Sequence, residues 1–123
     1  MEIDADTATQ ELIKVKGNQV APAELEALLL DHPAVQDSAV IGVTINGEEL
    51  PRAYIALKEG QSVKPQEIAS WMAEKVARHK RLAGGVKFVE SIPKNPSGKI
   101  QRKILRDEAQ KEVGDGAVRQ SRL

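Results

Sequence analysis

A lysine directly follows a glycine in the most distinctive stretch of the chain, residues 93–103, which have the sequence PKNPSGKIQRK. The two prolines stiffen this connector because they fix φ and remove backbone donors. Gly98 supplies a position where the backbone can adopt a positive φ or approach a ligand closely. Lys99, presented on such a loop, is suited to bind a phosphate or carboxylate oxygen as a mobile point charge.

This stretch is not a P-loop. A Walker A motif requires GxxxxGK followed by Ser or Thr, whose hydroxyl serves Mg²⁺. Pro93 stands where the first glycine should be, and Ile100 stands where the hydroxyl should be. The pair Gly-Lys taken by itself favours a solvated connector lysine, since Gly and Pro punctuate loops in most proteins.

The elements that must position this loop are predicted to form a small α+β domain. It consists of a three-stranded sheet with packed helices and an N-terminal β-ribbon. The ribbon is predicted over 12–20, strands over 35–45, 52–58 and 86–90, and helices beginning at Pro22, Pro65 and about Gln101. Asn46-Gly47 is a strong hairpin turn signal between the first two strands. Helical spacing places two apolar groups toward the core: Ile68, Trp71, Met72 and Val76, then Ile104, Leu105, Ala109 and Val113.

Composition excludes several classes of function. The chain has 123 residues, enough for one modest core, and its 18 basic and 18 acidic residues cancel, which argues against a general polyanion binder. Single copies of Trp, Tyr and Phe give few stacking platforms, so we expect no nucleic-acid partner. There is no cysteine, and no apolar run approaches the ~20 residues of a membrane span. His32 and His79 lie far apart, so no metal site is predicted, and Glu48-Glu49 is expected to be a solvated pair in the hairpin turn.

Two motifs together resemble one family. Residues 93–103 are similar to the C-terminal signature of the adenylate-forming superfamily, which includes acyl- and aryl-CoA ligases. Residues 11–26, ELIKVKGNQVAPAELE, look like the segment just after the interdomain hinge of that family. The sequence and spacing of the two motifs are closest to those of the 4-coumarate–CoA ligase branch, and the resemblance covers residues 11–106. It implies the fold of an AMP-binding enzyme C-terminal domain.

The resemblance also implies an activity and its residues. The family joins a carboxylic acid to AMP with ATP and then transfers the acyl group to a thiol, usually that of coenzyme A. Lys99 matches the lysine of the adenylation step, and Lys14 matches the residue that assists thioester formation. Lys16 and Gly17 match positions where coenzyme A enters, and Gln19 matches a residue near the adenylate. Mg²⁺ would accompany the ATP, held by the family's large N-terminal domain.

The chain departs from the family at the hinge, where Thr7-Ala8-Thr9-Gln10 replaces the usual Asp-Arg-x-Lys. We therefore expect residues 1–10 to be an atypical start, from a truncation or a split gene model, and 11–112 to be the domain. The N-terminal adenylation domain is the expected partner, in cis or in trans, without which the chain should be inactive. The alternative is a non-catalytic module that docks on such a domain or binds anions through a basic stripe of Lys99, Arg102, Lys103 and Arg106.

The chain ends in Ser121-Arg122-Leu123, a conservative variant of the peroxisomal address Ser-Lys-Leu. Residues 113–123 are predicted to be a flexible tail that presents this tripeptide to the import receptor. The expected location is the peroxisome, and otherwise the cytoplasm.

Overall fold

The computed structural model describes residues 12–122, with side chains as far as residue 112. Its strands are β1 (Ile13–Val15), β2 (Asn18–Val20), β3 (Val35–Ile45), β4 (Glu48–Leu57) and β5 (Val86–Phe88). Its helices are α1 (Pro22–Leu29), α2 (Pro65–Ala73) and α3 (Arg102–Arg122), with a 3-10 turn at Arg78–Lys80. The predicted α+β architecture is confirmed.

Strands β3, β4 and β5 form the sheet in that order. β3 and β4 are antiparallel and are joined by the predicted turn, where Asn46 and Gly47 have φ values of 54° and 82°. Positive φ at both central residues is the geometry that matches the twist of a two-residue hairpin. β5 runs parallel to β4, so α2 lies in the crossover connection that a parallel pair requires. β1 and β2 pair only with each other and form the ribbon.

Alternate residues of the strands build two cores on opposite faces of the sheet, as the two-residue period of a strand requires. On the face that we call the ribbon face, Val40 and Ile55 pack with residues from the ribbon, α1 and α2. On the face that we call the loop face, Ile41 and Tyr54 pack with α3 and with Ile92. Ile92 directly precedes residues 93–101, which we call the Pro-rich loop. The ribbon and the Pro-rich loop therefore cover different sides of the sheet.

Details of the helices differ from the sequence prediction. α2 ends at Ala73, so Val76 packs against the core from the bend that follows the helix and not from the helix itself, and residues 78–80 form a separate 3-10 turn. Ile104 is 43% exposed and not in the core. The buried stripe of α3 falls on Leu105 and Ala109, which share one face at a spacing of four residues.

The two ends of the chain carry predictions that the structure leaves open. Residues 1–10, expected to be an atypical start, and Leu123 lie outside the described residues, as does the side chain of Val113. The backbone of α3 continues to Arg122, through residues that the sequence assigned to a flexible tail.

Candidate functional site

The loop that carries Lys99 is organised by the side chain of Asn95. Its Oδ1 accepts hydrogen bonds from the backbone N–H of Ser97 at 3.1 Å, the Ser97 hydroxyl at 2.7 Å and the Lys99 N–H at 3.0 Å. The backbone closes the same turn, since the Asn95 N–H donates to the Lys99 carbonyl at 2.9 Å. Gly98 has φ +92°, as its predicted role requires. The loop is therefore a fixed platform, and the Lys99 side chain extends from it at an exposed position.

Sequence reasoning missed the role of Asn95. The signal was present in the sequence, because an Asn in a turn commonly accepts hydrogen bonds from the backbone N–H groups of the residues that follow it. We expect Asn95→Ala to loosen this loop and to lower the free energy of unfolding by about 1–2 kcal/mol, since three acceptor contacts are lost at a partly exposed site. Chemical denaturation measures the loss, and a value below 0.3 kcal/mol would contradict this role.

The ribbon brings two of the predicted residues together. Lys14 and Gln19 are direct cross-strand partners, and both side chains are exposed on the outer side of the ribbon. The N–H of Lys14 faces away from β2 and donates to Oε1 of Glu49 at 3.1 Å. The expectation that Glu49 is a solvated turn residue is wrong, since it lies in β4 and holds the ribbon onto the sheet. No pattern in the sequence indicated this contact.

The turn of the ribbon holds the other two predicted residues in a left-handed conformation. Lys16 has φ +51° and Gly17 has φ +86°, and a Cβ on Gly17 would meet no atom within 4 Å. A lysine in this region costs roughly 1–2 kcal/mol, and backbone strain of this kind concentrates at functional sites. The described residues contain one other non-glycine case, Asn46, which is a type that tolerates the conformation.

A cleft of about 480 Å³ opens beside this turn. Apolar groups of Val15, Leu50, Pro51 and Ala83 line much of it. Four basic residues also line it, Lys16, Arg78, His79 and Arg81, together with Asn18 and one carboxylate, that of Glu48. An apolar cleft with cations is suited to an elongated ligand that combines an aliphatic part with phosphates.

The predicted basic stripe is wrong at Arg102. Its guanidinium lies against the carboxylate of Glu26 at 2.7 Å, and its side chain is only 17% exposed. Burial raises the pKa of Glu26, and the hydrogen bonds from Arg102 and from the Val40 N–H oppose that rise. Arg102 therefore neutralises a buried carboxylate and is not offered to a ligand. A glutamate on the apolar stripe of α1, next to Leu25 and three residues before Leu29, was the signal for this pair.

The two predicted catalytic lysines lie on elements that cover opposite faces of the sheet. Ile13 and Val15, on either side of Lys14, belong to the core of the ribbon face. Ile100, next to Lys99, packs against the core of the loop face. Within residues 12–122, no helix is long and apolar enough to cross a bilayer. Among the side chains of residues 12–112, no cluster of three or more His, Cys, Asp or Glu is placed to hold a metal ion.

Comparison with known families decides the class of the domain. The model of the AMP-binding enzyme C-terminal domain matches residues 24–99, which is more than half of the chain. The chain belongs to this family. The resemblance stated from the motifs at 11–26 and 93–103 is thereby confirmed.

Curated relatives of this AMP-binding enzyme C-terminal domain are acyl-CoA ligases. A putative acyl-coenzyme A synthetase from Emericella nidulans is 50% identical over 108 residues, covering 85% of this chain and 20% of the relative. Phenylacetyl-CoA ligase epaB from Aspergillus niger is 46% identical over 101 residues, covering 80% of this chain and 18% of the relative. Probable 4-coumarate–CoA ligase 1 from Dictyostelium discoideum is 46% identical with the same coverage. The chain spans about a fifth of the length of these relatives.

Solved structures give the same family. The anthranilate CoA ligase AuaEII, in complex with anthranoyl-AMP, is 39% identical with a TM-score of 0.75, covering 82% of this chain and 20% of that one. ATP-bound MatB from Rhodopseudomonas palustris is 26% identical with a TM-score of 0.79, covering 85% and 21%. This AMP-binding enzyme C-terminal domain is therefore one from the acyl-CoA ligase family of adenylate-forming enzymes.

Proposed function

We propose that this chain is the mobile catalytic domain of an acid–thiol ligase and that it presents Lys99 and Lys14 to one active site in succession. The observation that supports this is their placement over opposite faces of the sheet. One fixed orientation of the domain cannot turn both faces toward the same cleft. A rotation between the two half-reactions removes the difficulty, with the adenylating domain supplied in cis or in trans.

In the first half-reaction the Lys99 face meets the adenylating domain. A carboxylate oxygen of the acid attacks the α-phosphorus of ATP, the new O–P bond forms, and pyrophosphate leaves with its electron pair. Two anions approach each other, so a cation aimed at the developing charge stabilises the transition state. The ammonium of Lys99 is suited to this task because the Asn95 hydrogen bonds fix the loop while the side chain keeps its reach. Mg²⁺ and the nucleotide are assigned to the partner domain.

In the second half-reaction the ribbon face takes the place of the loop. The thiol of coenzyme A attacks the acyl carbon of the adenylate and the C–S bond forms. The bond from the acyl carbon to the phosphate oxygen breaks, AMP leaves with that electron pair, and the thiol proton passes to solvent. Lys14 and Gln19 are neighbours on the exposed side of the ribbon, so they would reach the adenylate together. The hydrogen bond from the Lys14 N–H to Glu49 holds the ribbon against β4 of the sheet.

We assign the approach of coenzyme A to the turn and to the cleft beside it. Gly17 has no side chain and open space around its Cα, which lets an aliphatic arm pass close to the backbone. Lys16, Arg78 and Arg81 place cations around the apolar cleft, where phosphate groups would be held. This assignment explains why a lysine occupies position 16, where Gly or Asn would adopt the left-handed conformation at lower cost. The strain is tolerated because the position needs a cation.

Replacing Lys16 by Asn tests this assignment. Asn is the residue that the 46–47 turn uses in the same conformation, so we expect Lys16→Asn to raise the free energy of unfolding by about 0.5–1 kcal/mol. The KM for coenzyme A should rise several-fold because a phosphate contact is lost. Chemical denaturation of the chain measures the change in stability, and steady-state kinetics of the hybrid enzyme described in the next paragraph measures the KM. An unchanged KM would remove Lys16 from the coenzyme A site.

The proposed function is tested with a hybrid enzyme. The full chain would replace the matching fifth of the Aspergillus niger phenylacetyl-CoA ligase, with phenylacetate, ATP and coenzyme A as substrates. We expect thioester formation by the hybrid, none by the chain alone, and none by the truncated relative alone. A folded hybrid that forms neither adenylate nor thioester would contradict the proposal, and so would turnover by the isolated chain.

We also propose that the chain is imported into peroxisomes through Ser121-Arg122-Leu123, on the basis of the sequence alone. A fluorescent protein fused to the N-terminus should give punctate signal that coincides with a peroxisomal marker. Removal of Leu123 should make the signal diffuse. Diffuse signal with the tripeptide intact would place the protein in the cytoplasm instead.

A further inference from the structure

A buried ion pair links the helix that follows the ribbon to the helix that follows the Lys99 loop. Glu26, on α1, is 8% exposed. Arg102 donates to its carboxylate through Nε at 3.1 Å and through Nη2 at 2.7 Å and 2.9 Å. The Val40 N–H of edge strand β3 donates to the same carboxylate at 2.9 Å. A charged pair held by several directed bonds fixes orientation as well as distance.

This pair lies at the base of the Lys99 loop. Arg102 is the first residue of α3 and comes three residues after Lys99. One residue earlier, the Gln101 N–H donates to the Pro93 carbonyl at 2.9 Å and closes the loop. On the other side of the loop, Lys94 pairs with Asp37 of β3 at 2.8 Å. Both ends of the loop are thus tied to the same strand, one directly and the other through the carboxylate of Glu26.

We infer that Glu26 and Arg102 are positioning residues for adenylation, which hold the base of the Lys99 loop so that its ammonium reaches the reacting atoms. The inference rests on the proposed function, since it gives Lys99 a role in that step. A displacement of about 1 Å far from the chemistry can cost ~10²-fold in rate. We therefore expect the adenylation kcat to fall roughly 10- to 100-fold when the pair is broken.

A purely structural anchor makes a different prediction. If the pair only held the fold together, its loss would reduce the amount of active enzyme and slow both half-reactions equally. Positioning instead affects the step that uses the loop face and spares the step that uses the ribbon face. The ratio of the two half-reaction rates therefore separates the two roles.

The experiment compares Glu26→Gln, Arg102→Lys and the control Lys111→Gln in the phenylacetate hybrid. Lys111 is an exposed cation on the same helix. Adenylation is measured as pyrophosphate release, and the second step as thioester formation from synthetic phenylacetyl-AMP and coenzyme A. Both test variants should lose adenylation kcat at least 10-fold, with the KM for ATP and the thioester rate within twofold of the parent. Lys111→Gln should leave both rates unchanged. Parallel loss of both rates, or no loss, overturns the inference.

A second arm uses the chain by itself and does not depend on the hybrid. Amide hydrogen exchange, followed by NMR, reports on the N–H groups of Lys99 and Gln101, which are bonded inside the loop. In Glu26→Gln these two amides should exchange at least fivefold faster, while the core amide of Ile55 stays within twofold. Equal exchange in the variant and the parent overturns the inference.

An inactive hybrid with accelerated loop exchange would contradict the proposed function and leave the control of the loop by this pair supported. If Glu26→Gln does not fold, Arg102→Lys, which keeps the charge but loses the planar fork, decides both arms.

Discussion

Replacing Lys99 by Ala should slow the formation of acyl-adenylate by roughly 10²–10³-fold, the usual cost of losing one preorganised group that stabilises developing charge. Thioester formation from supplied acyl-adenylate should change less than twofold, because that step uses the other face of the sheet. Lys14→Ala should give the reverse, with adenylation retained and thioester formation reduced. Pyrophosphate release and thioester formation by the hybrid measure the two rates separately.

Controls for this pair of variants test shape and charge independently. Lys111→Ala removes an exposed cation from α3 and should leave both half-reactions unchanged. Lys99→Arg keeps the charge but replaces a point charge with a planar fork of different reach, so it should restore little of the lost rate. Adenylation at the parent rate in Lys99→Ala would show that the proposed role of the loop is wrong. Equal loss of both steps in either variant would contradict the use of opposite faces.

The fold was predictable from local signals because each element has a boundary that is set by one or two residues. Pro22 and Pro65 open helices at the first turn, where a missing N–H costs nothing. Asn46-Gly47 sets the hairpin and hence the register of β3 against β4. The end of α2 was not predictable in this way, since no breaker follows Ala73; the helix ends there, and Val76, which is partly buried, packs against the core.

The candidate site was predictable in its residues but not in the contacts that hold them. Lys99 and Lys14 lie in recognisable motifs, so their place in the sequence was enough to find them. Glu26 and Arg102 are 76 positions apart, and only the folded chain shows that they meet. The ribbon face and the loop face are likewise properties of the packed sheet. They follow from the way in which the ribbon and the last helix dock, which local sequence does not encode.

Replacing Arg102 by Ala should be among the most destabilising single changes in this chain. It leaves the Glu26 carboxylate buried with one remaining donor, the Val40 N–H. Removal of one partner of a buried ion pair typically costs about 3–5 kcal/mol, a large part of the stability of a small domain. Chemical denaturation at neutral pH measures the loss, and Lys111→Ala, on the exposed side of the same helix, should stay within about 0.5 kcal/mol of the parent.

The pH dependence of this loss identifies its cause. Burial already raises the pKa of Glu26 above its ordinary value of 4.5, and Arg102 opposes that rise, so Arg102→Ala should raise the pKa further. A carboxyl whose pKa is raised by folding binds more protons in the folded state, so its contribution falls as pH rises through the folded pKa. The deficit of Arg102→Ala should therefore be largest at neutral pH and should shrink below pH 4.5, where the carboxyl is neutral in both states.

Adding Glu26→Gln to Arg102→Ala should recover most of the stability at neutral pH, since no charge then stays buried. A deficit that is equal at both pH values, or that the second substitution does not reduce, would show that lost packing and not the buried charge is responsible.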